Sequence, residues 1–199
     1  MFRLSQEKLI ASAFTLVAAN IKGPQIDEAT RRWTGGLEGV EDPSGSWDAR
    51  FIQHCGRSSH YDFRKRDTDW PIPPSVQTTP QLAEWGAQKG VLFDAPMDGD
   101  IFLQYGQHRK EFIHSGIVVG LLHRWVAKDG VPLEYECYNV EGDTDQVGRL
   151  ERGHALRITR RLCPRLGDKF LRWTMVERPG TRLMIDFAHR TDDAEALAL

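Results

Sequence analysis

The chain is poor in cysteine. Cys55, Cys137 and Cys163 are the only three in 199 residues, and they are widely scattered. That excludes a disulfide framework and a Cys-x-x-Cys zinc site, and it fits thiols kept reduced in a cytosol. An excess of either charge is also missing. The 26 Lys and Arg against 28 Asp and Glu leave a net charge of −2 with His neutral, which argues against a dedicated nucleic-acid binder. No apolar run approaches the roughly 18 residues of a membrane span. The opening MFRLSQEKLIASAFTLVAAN is partly apolar, but Gln6, Glu7 and Lys8 interrupt it and its period is helical, unlike a signal peptide. The expectation is a chain that is cytoplasmic as synthesised, exported only by a dedicated machine, with no membrane or nucleic-acid partner. Internal repeats and low-complexity segments are lacking. What remains is an ordinary globular composition, 40% hydrophobic and 27% charged, long enough to bury one core without staples.

The first half of the chain carries helical signals. Ser5 to Ala19 reads as an amphipathic helix with Ser5 as N-cap. Pro24 opens a second short helix that runs to Trp33, followed by a Gly- and Pro-rich loop from Gly35 to Ser46. Trp47 to Cys55 reads as a helix closed by Gly56. Arg57 to Thr79, with Pro71, Pro73 and Pro74, reads as a long surface excursion. Its Arg64-Lys65-Arg66 cluster lies beside Tyr61, Phe63 and Trp70, but Asp62, Asp67 and Asp69 are interleaved, so a solvated loop is expected. Thr79-Pro80 opens a further helix that Gly90 ends.

Beyond Gly90 the period becomes two and β-branched residues increase. Ile101–Tyr105, Ile113–Leu122, Leu133–Val140, Ala155–Arg161 and Phe170–Glu177 are predicted strands. Gly106, Asp129-Gly130, the Gly142 to Gly148 segment and Gly167 supply turns. Helices first and strands second indicate an α+β fold with an antiparallel sheet. The expected organisation is a single domain over 1–178 and a charged tail over 179–199.

Three segments can carry chemistry. In Gly45-Ser46-Trp47-Asp48-Ala49-Arg50-Phe51-Ile52, Asp48 falls at a helix N-terminus, where free N–H groups and the positive dipole end favour an anion. It reads equally as a plain N-cap. Asp98-Gly99-Asp100-Ile101-Phe102-Leu103 leads to His114-Ser115-Gly116-Ile117-Val118, a strand carrying one histidine among apolar residues. Cys137-Tyr138-Asn139-Val140-Glu141-Gly142-Asp143 ends a strand in a carboxylate that could orient an imidazole.

The order of these segments resembles the NlpC/P60 and CHAP group of papain-like cysteine peptidases and amidases. Members show Trp-Cys-Ala-x-Phe at the nucleophile helix, Gly-Asp-Ile ahead of a His-x-Gly-Ile-Val strand, and Glu-Gly-Asn on the next strand. This chain has WDARFI, GDIFLQY, HSGIVVG and VEGDTD, and the similarity spans about Ile26 to Arg161. The resemblance implies a papain-like fold with N-terminal helices packed on a central antiparallel sheet of about five to six strands. It implies a peptide or peptidoglycan amide hydrolase without a cofactor. His114 maps to the general base and Glu141 to the residue that orients it. Asp143 falls where many relatives carry Asn, and Trp47 and Ser115 map beside the substrate.

Asp48 stands where the family has its cysteine. A carboxylate is a poor acyl-transfer nucleophile, and an anion there opposes the charge developing on a substrate carbonyl. The expectation is a homologue without cysteine-type hydrolysis that keeps a groove for a peptide or cell-wall fragment. Four other readings stay open. Asp48 can be an engineered inactivation of a working amidase. Asp48, His114 and Glu141 can converge on a divalent metal. Asp48 can form an ion pair that holds His114 protonated. The chain can be a non-catalytic adaptor whose protein partner belongs to a phage-like or secretion assembly. No substitute nucleophile is apparent. Cys55 is two helical turns from Asp48, about 10 Å, and reads as core. Ser46 precedes Trp47 and should point elsewhere. Cys137 shares a strand face with Glu141 but nothing visibly activates it.

Overall fold

In a computed structural model the chain adopts an α+β fold. The structure describes residues 2–19, 47–62, 67–128, 130, 132–142 and 156–176. The predicted helix over 24–33, the loop over 35–46, Asp143 and the tail over 179–199 lie outside the described residues. None of the described helices is long and apolar enough to cross a membrane.

Helix α1 spans Phe2–Ala18. It starts three residues before the predicted cap, so Ser5 is inside the helix. Arg3 and Leu4 are good helix formers, and nothing in that turn stops propagation backwards. Leu9 and Ala13, four residues apart on one face, are fully buried.

Helix α2 spans Asp48–Ser59 and continues through Gly56, where the sequence suggested a stop. Gly56 is there for space. A Cβ at this position would lie 2.1 Å from the Trp70 indole, so only glycine lets that ring lie against the helix.

Trp70 belongs to the segment expected to be a surface excursion, and the structure corrects that expectation. Trp70, Ile72 and Val76 are buried in the main core. A proline-rich stretch has few donors of its own, and one buried side chain of α2 partners its backbone carbonyls. Gln53 Nε2 donates to the carbonyls of Pro73 (2.7 Å) and Val76 (2.8 Å), and its Oε1 accepts from Trp70 Nε1 (3.0 Å). Between α2 and this segment, β1 (Tyr61–Asp62) and β2 (Asp67–Thr68) pair antiparallel. The Arg64-Lys65-Arg66 cluster lies outside the described residues.

Helix α3, Thr79–Lys89, matches its predicted signals. Thr78 and Gln81 form a reciprocal capping box, Pro80 sits in the first turn, and Gly90 closes the helix in the left-handed region at φ 66°. Because Thr78 takes the cap, the hydroxyl of Thr79 is left for another partner.

The sheet contains β3 (Leu92–Phe93), β4 (Ile101–Gly106), β5 (Glu111–Val126), β6 (Pro132–Glu141), β7 (Leu156–Leu162) and β8 (Lys169–Leu171). All neighbours are antiparallel, in the order β3-β8-β4-β5-β6-β7. The strand predicted over 170–177 is only three residues long and passes into a short 3-10 turn, Trp173–Met175. Side-chain bonds draw the chain out of the ladder there. Trp173 Nε1 donates to the Gly99 carbonyl (2.9 Å), and Arg172 pairs with Asp100.

The helices cover one sheet face through Ile101, Leu103, Ile117 and Val140, with Leu9, Phe51, Ile52 and Leu82 in the same cluster. A second cluster joins Phe102, Val118, Tyr135, Cys137, Leu162 and Phe170. That split follows strand alternation, since Ile117 and Val118 go to different clusters.

Candidate functional site

Asp48 is the first residue of α2, and Trp47 rather than Asp48 holds the cap position. Trp47 is buried and packs edge-on against Phe51, its ring centroid 5.9 Å away. That packing fixes the entry of the chain into the helix and aims Asp48 inward. Gly142, at the end of β6, permits the approach. A Cβ there would come within 2.7 Å of Phe51 and 2.8 Å of Trp47.

The Asp48 carboxylate meets donors at both oxygens. Oδ1 accepts from the Ala49 N–H at 2.8 Å. Oδ2 accepts from the backbone N–H of Ser115 (2.8 Å), the hydroxyl of Thr79 (2.8 Å) and the hydroxyl of Ser115 (3.2 Å). Nδ1 of His114 stands 3.2 Å from the same oxygen, at ion-pair distance. Nε2 of His114 is 2.8 Å from Glu141 Oε2. Arg160 grips Glu141 at both oxygens, Nε to Oε1 at 2.9 Å and a terminal nitrogen to Oε2 at 2.6 Å. Its other terminal nitrogen donates to Gln104 Oε1 at 3.1 Å, and the guanidinium lies over the Phe102 ring at 5.7 Å.

Four charged side chains therefore stand in a row, with signs alternating: Asp48, His114, Glu141, Arg160. The carboxylates are the interior members, 2% and 0% exposed, while the His114 and Arg160 side chains keep 14% and 24% exposure.

Burial by itself would push the carboxyls of Asp48 and Glu141 up and the imidazole of His114 down. Each is outweighed. Hydrogen bonding and charge from His114, with bonds from Thr79 and Ala49, hold Asp48 below the usual carboxylate range. Arg160 and His114 do the same for Glu141. The two flanking carboxylates raise His114 to about 9. At neutral pH the ring is an imidazolium that donates from both nitrogens.

Gly116 makes room for the row. A Cβ on this residue would lie 2.5 Å from the Phe102 ring and 2.7 Å from Glu141 Cγ. A side chain at Gly116 would crowd both Phe102 and the Glu141 side chain that holds His114.

Asp48, His114 and Glu141 are thus brought together as the sequence suggested, in the ion-paired form. A shared metal site does not result. The carboxylates lie against opposite nitrogens of one ring, so the three groups do not aim lone pairs at a common point. Among the described residues no group of three or more His, Cys, Asp or Glu is arranged to hold a metal. Trp47 and Ser115, expected beside a substrate, are buried. Trp47 is spent in packing and Ser115 on Asp48. Asp143 lies outside the described residues.

None of the three cysteines lies in this row. Cys55 is fully buried and its thiol is pushed well up by that burial. Cys137 lies in the second cluster, its thiol pushed up to about 12. Cys163 is half-buried with its Sγ 3.1 Å from the Leu133 carbonyl.

Sequence reasoning missed Arg160, Thr79 and Gln104. Arg160 sits in the run RITRR, which reads as a solvated strand face, and its role depends on β7 pairing beside β6. Thr79 carried one usable signal, since Thr78 and Gln81 form a capping box that frees its neighbour's hydroxyl. The Asp98-Gly99-Asp100 turn proves to be an anchor. Asp100 is fully buried and accepts from Arg172 and from the Met97 N–H. In comparisons with known proteins no family model matches this chain, and no curated protein or solved structure does.

Proposed function

We propose that this chain is a disarmed relative of the papain-like NlpC/P60 and CHAP amidases, with a papain-like arrangement of α2 against β4–β6. On this reading it binds a peptide or peptidoglycan fragment beside His114 and Arg160 and does not cleave it. The observation that carries the reading is the state of Asp48 and His114. A nucleophile must have an unengaged lone pair facing the substrate, and a general base must be unprotonated near working pH. The Asp48 carboxylate meets donors at both oxygens and is buried. His114 is held protonated up to about pH 9. Neither half of an acyl-transfer pair is available, while the framework that would orient such a pair is intact around Glu141 and Arg160.

The test is a paired assay of the chain as it stands and an Asp48→Cys variant. A thiol at the start of α2 beside an imidazole is in the setting that lowers thiol pKa and generates the nucleophilic thiolate. Both proteins are incubated with peptidoglycan fragments, and new amide ends are sought by mass spectrometry. The expected outcome is cleavage by the Cys variant alone, with fragment binding by both. His114-dependent cleavage by the unaltered chain would overturn the reading. Absence of cleavage by both would leave the substrate class without support and move a purely adaptor role ahead.

A further inference from the structure

The pocket around the Asp48 carboxylate is built from donors on three elements. Ala49 at the start of α2 contributes a backbone N–H to Oδ1. Thr79 at the start of α3 contributes its hydroxyl to Oδ2. Ser115 on β5 contributes both its backbone N–H and its hydroxyl to Oδ2. His114 on β5 supplies the positive charge at 3.2 Å. Thr79 and Ser115 are themselves buried and 2.8 Å apart at their hydroxyls, so each is held by the other as well as by the carboxylate. The anion these donors meet is a carboxylate linked to the chain by one Cβ. Nothing in the donor set requires that link.

We infer that this pocket is a receptor for a small carboxylate, which the chain fills with its own side chain and which will accept a free one when Asp48 is cut back. Asp48→Ala removes one carbon and two oxygens, the heavy atoms of formate. Asp48→Gly removes one carbon more, the heavy atoms of acetate. A monocarboxylate bound beside His114 returns to the row the negative charge that the substitution removes. Donors at each of two oxygens select a two-oxygen anion over a spherical one. This inference rests on the donor geometry alone. It stands or falls independently of cleavage by the Asp48→Cys variant.

The experiment is a thermal-melt titration of the full chain and of both variants with sodium formate, acetate and chloride at matched ionic strength, near pH 6.5. The binding energy available per atom limits a three-heavy-atom ligand to a Kd no tighter than roughly 1 mM. Formate at 100 mM should therefore raise the melting temperature of Asp48→Ala by up to about 8 °C, the rise following the logarithm of formate concentration. Acetate should do the same for Asp48→Gly. The unaltered chain should show neither response. Adding Thr79→Val to Asp48→Ala removes a 2.8 Å donor and should weaken formate binding about tenfold. A variant that folds in formate or acetate but not in chloride supports the assignment. Equal responses to chloride, the same response in the unaltered chain, or variants that remain unstabilised or unfolded at saturating carboxylate would overturn it.

Discussion

Asp100 and Glu141 are both fully buried carboxylates gripped by an arginine at both oxygens, yet their carboxyls move in opposite directions. Asp100 is raised to about 6, because burial outweighs Arg172 and the Met97 N–H, and Asp98 adds a like charge nearby. Glu141 is held low, because His114 adds a second positive charge to that of Arg160. Burial beside one arginine does not settle the ionisation of a carboxylate. The number of cations and donors does. The Asp100–Arg172 pair is an anchor that ties the turn before β4 to the segment after β8. The Asp48–His114–Glu141–Arg160 row joins α2 to three strands, β5, β6 and β7, through alternating charges.

The comparison can be broken most directly at the two arginines. Arg160→Met should cost about 3 kcal/mol at pH 7, since it strips the buried Glu141 of one of its two cationic partners. Arg172→Met should cost less at pH 5 than at pH 7, because Asp100 can take up a proton near pH 6 and become neutral. Urea unfolding of both variants at both pH values measures this. Equal costs with no pH dependence would contradict the distinction.

The next effect is on pH dependence. The pKa of His114 is raised in the folded state, from about 6.5 to about 9. The folded protein therefore holds a proton that the unfolded chain releases in that window. Its contribution is fully present below about pH 6.5 and lost as pH rises towards 9, by at most about 3 kcal/mol. Asp48 and Glu141 act at the other end: their carboxyls are lowered, so their contribution is lost as pH falls through the acid range. Urea midpoints across pH 5–10 should decline above 6.5, and His114→Gln should flatten that decline. A sharper probe of the same region is Gly116→Ala, expected to cost about 1–3 kcal/mol through its collision with Phe102 and Glu141. Gly120, four residues along the same strand, has open space at its Cβ. Gly120→Ala should change stability by no more than about 0.5 kcal/mol, which calorimetry on the pair would resolve.

Much of the architecture was legible where its cause is local. The capping box and the closing glycine of α3 lie within a few residues of the turns they determine, and the central strands β4 to β6 follow from alternation. Errors arose where a distant residue decides. Gly56 reads as a stop until Trp70 is placed against it. Residues 70–76 read as surface until Gln53 reaches them from α2. Strand β8 reads as longer until Arg172 and Trp173 find Asp100 and Gly99.

Sequence order alone determined that a carboxylate and not a thiol stands at the head of α2, and that a histidine and a second carboxylate follow on successive strands. Only the tertiary structure decided what state these groups adopt. The protonation of His114, the hydrogen bonds that Thr79 and Ser115 donate to the ionised Asp48, and the grip of Arg160 on Glu141 depend on strand register and on the approach of two helix ends. Electrostatic energies inside a protein are set by separations of a few ångströms and by exclusion of water, and neither is encoded in the spacing of residues along the chain.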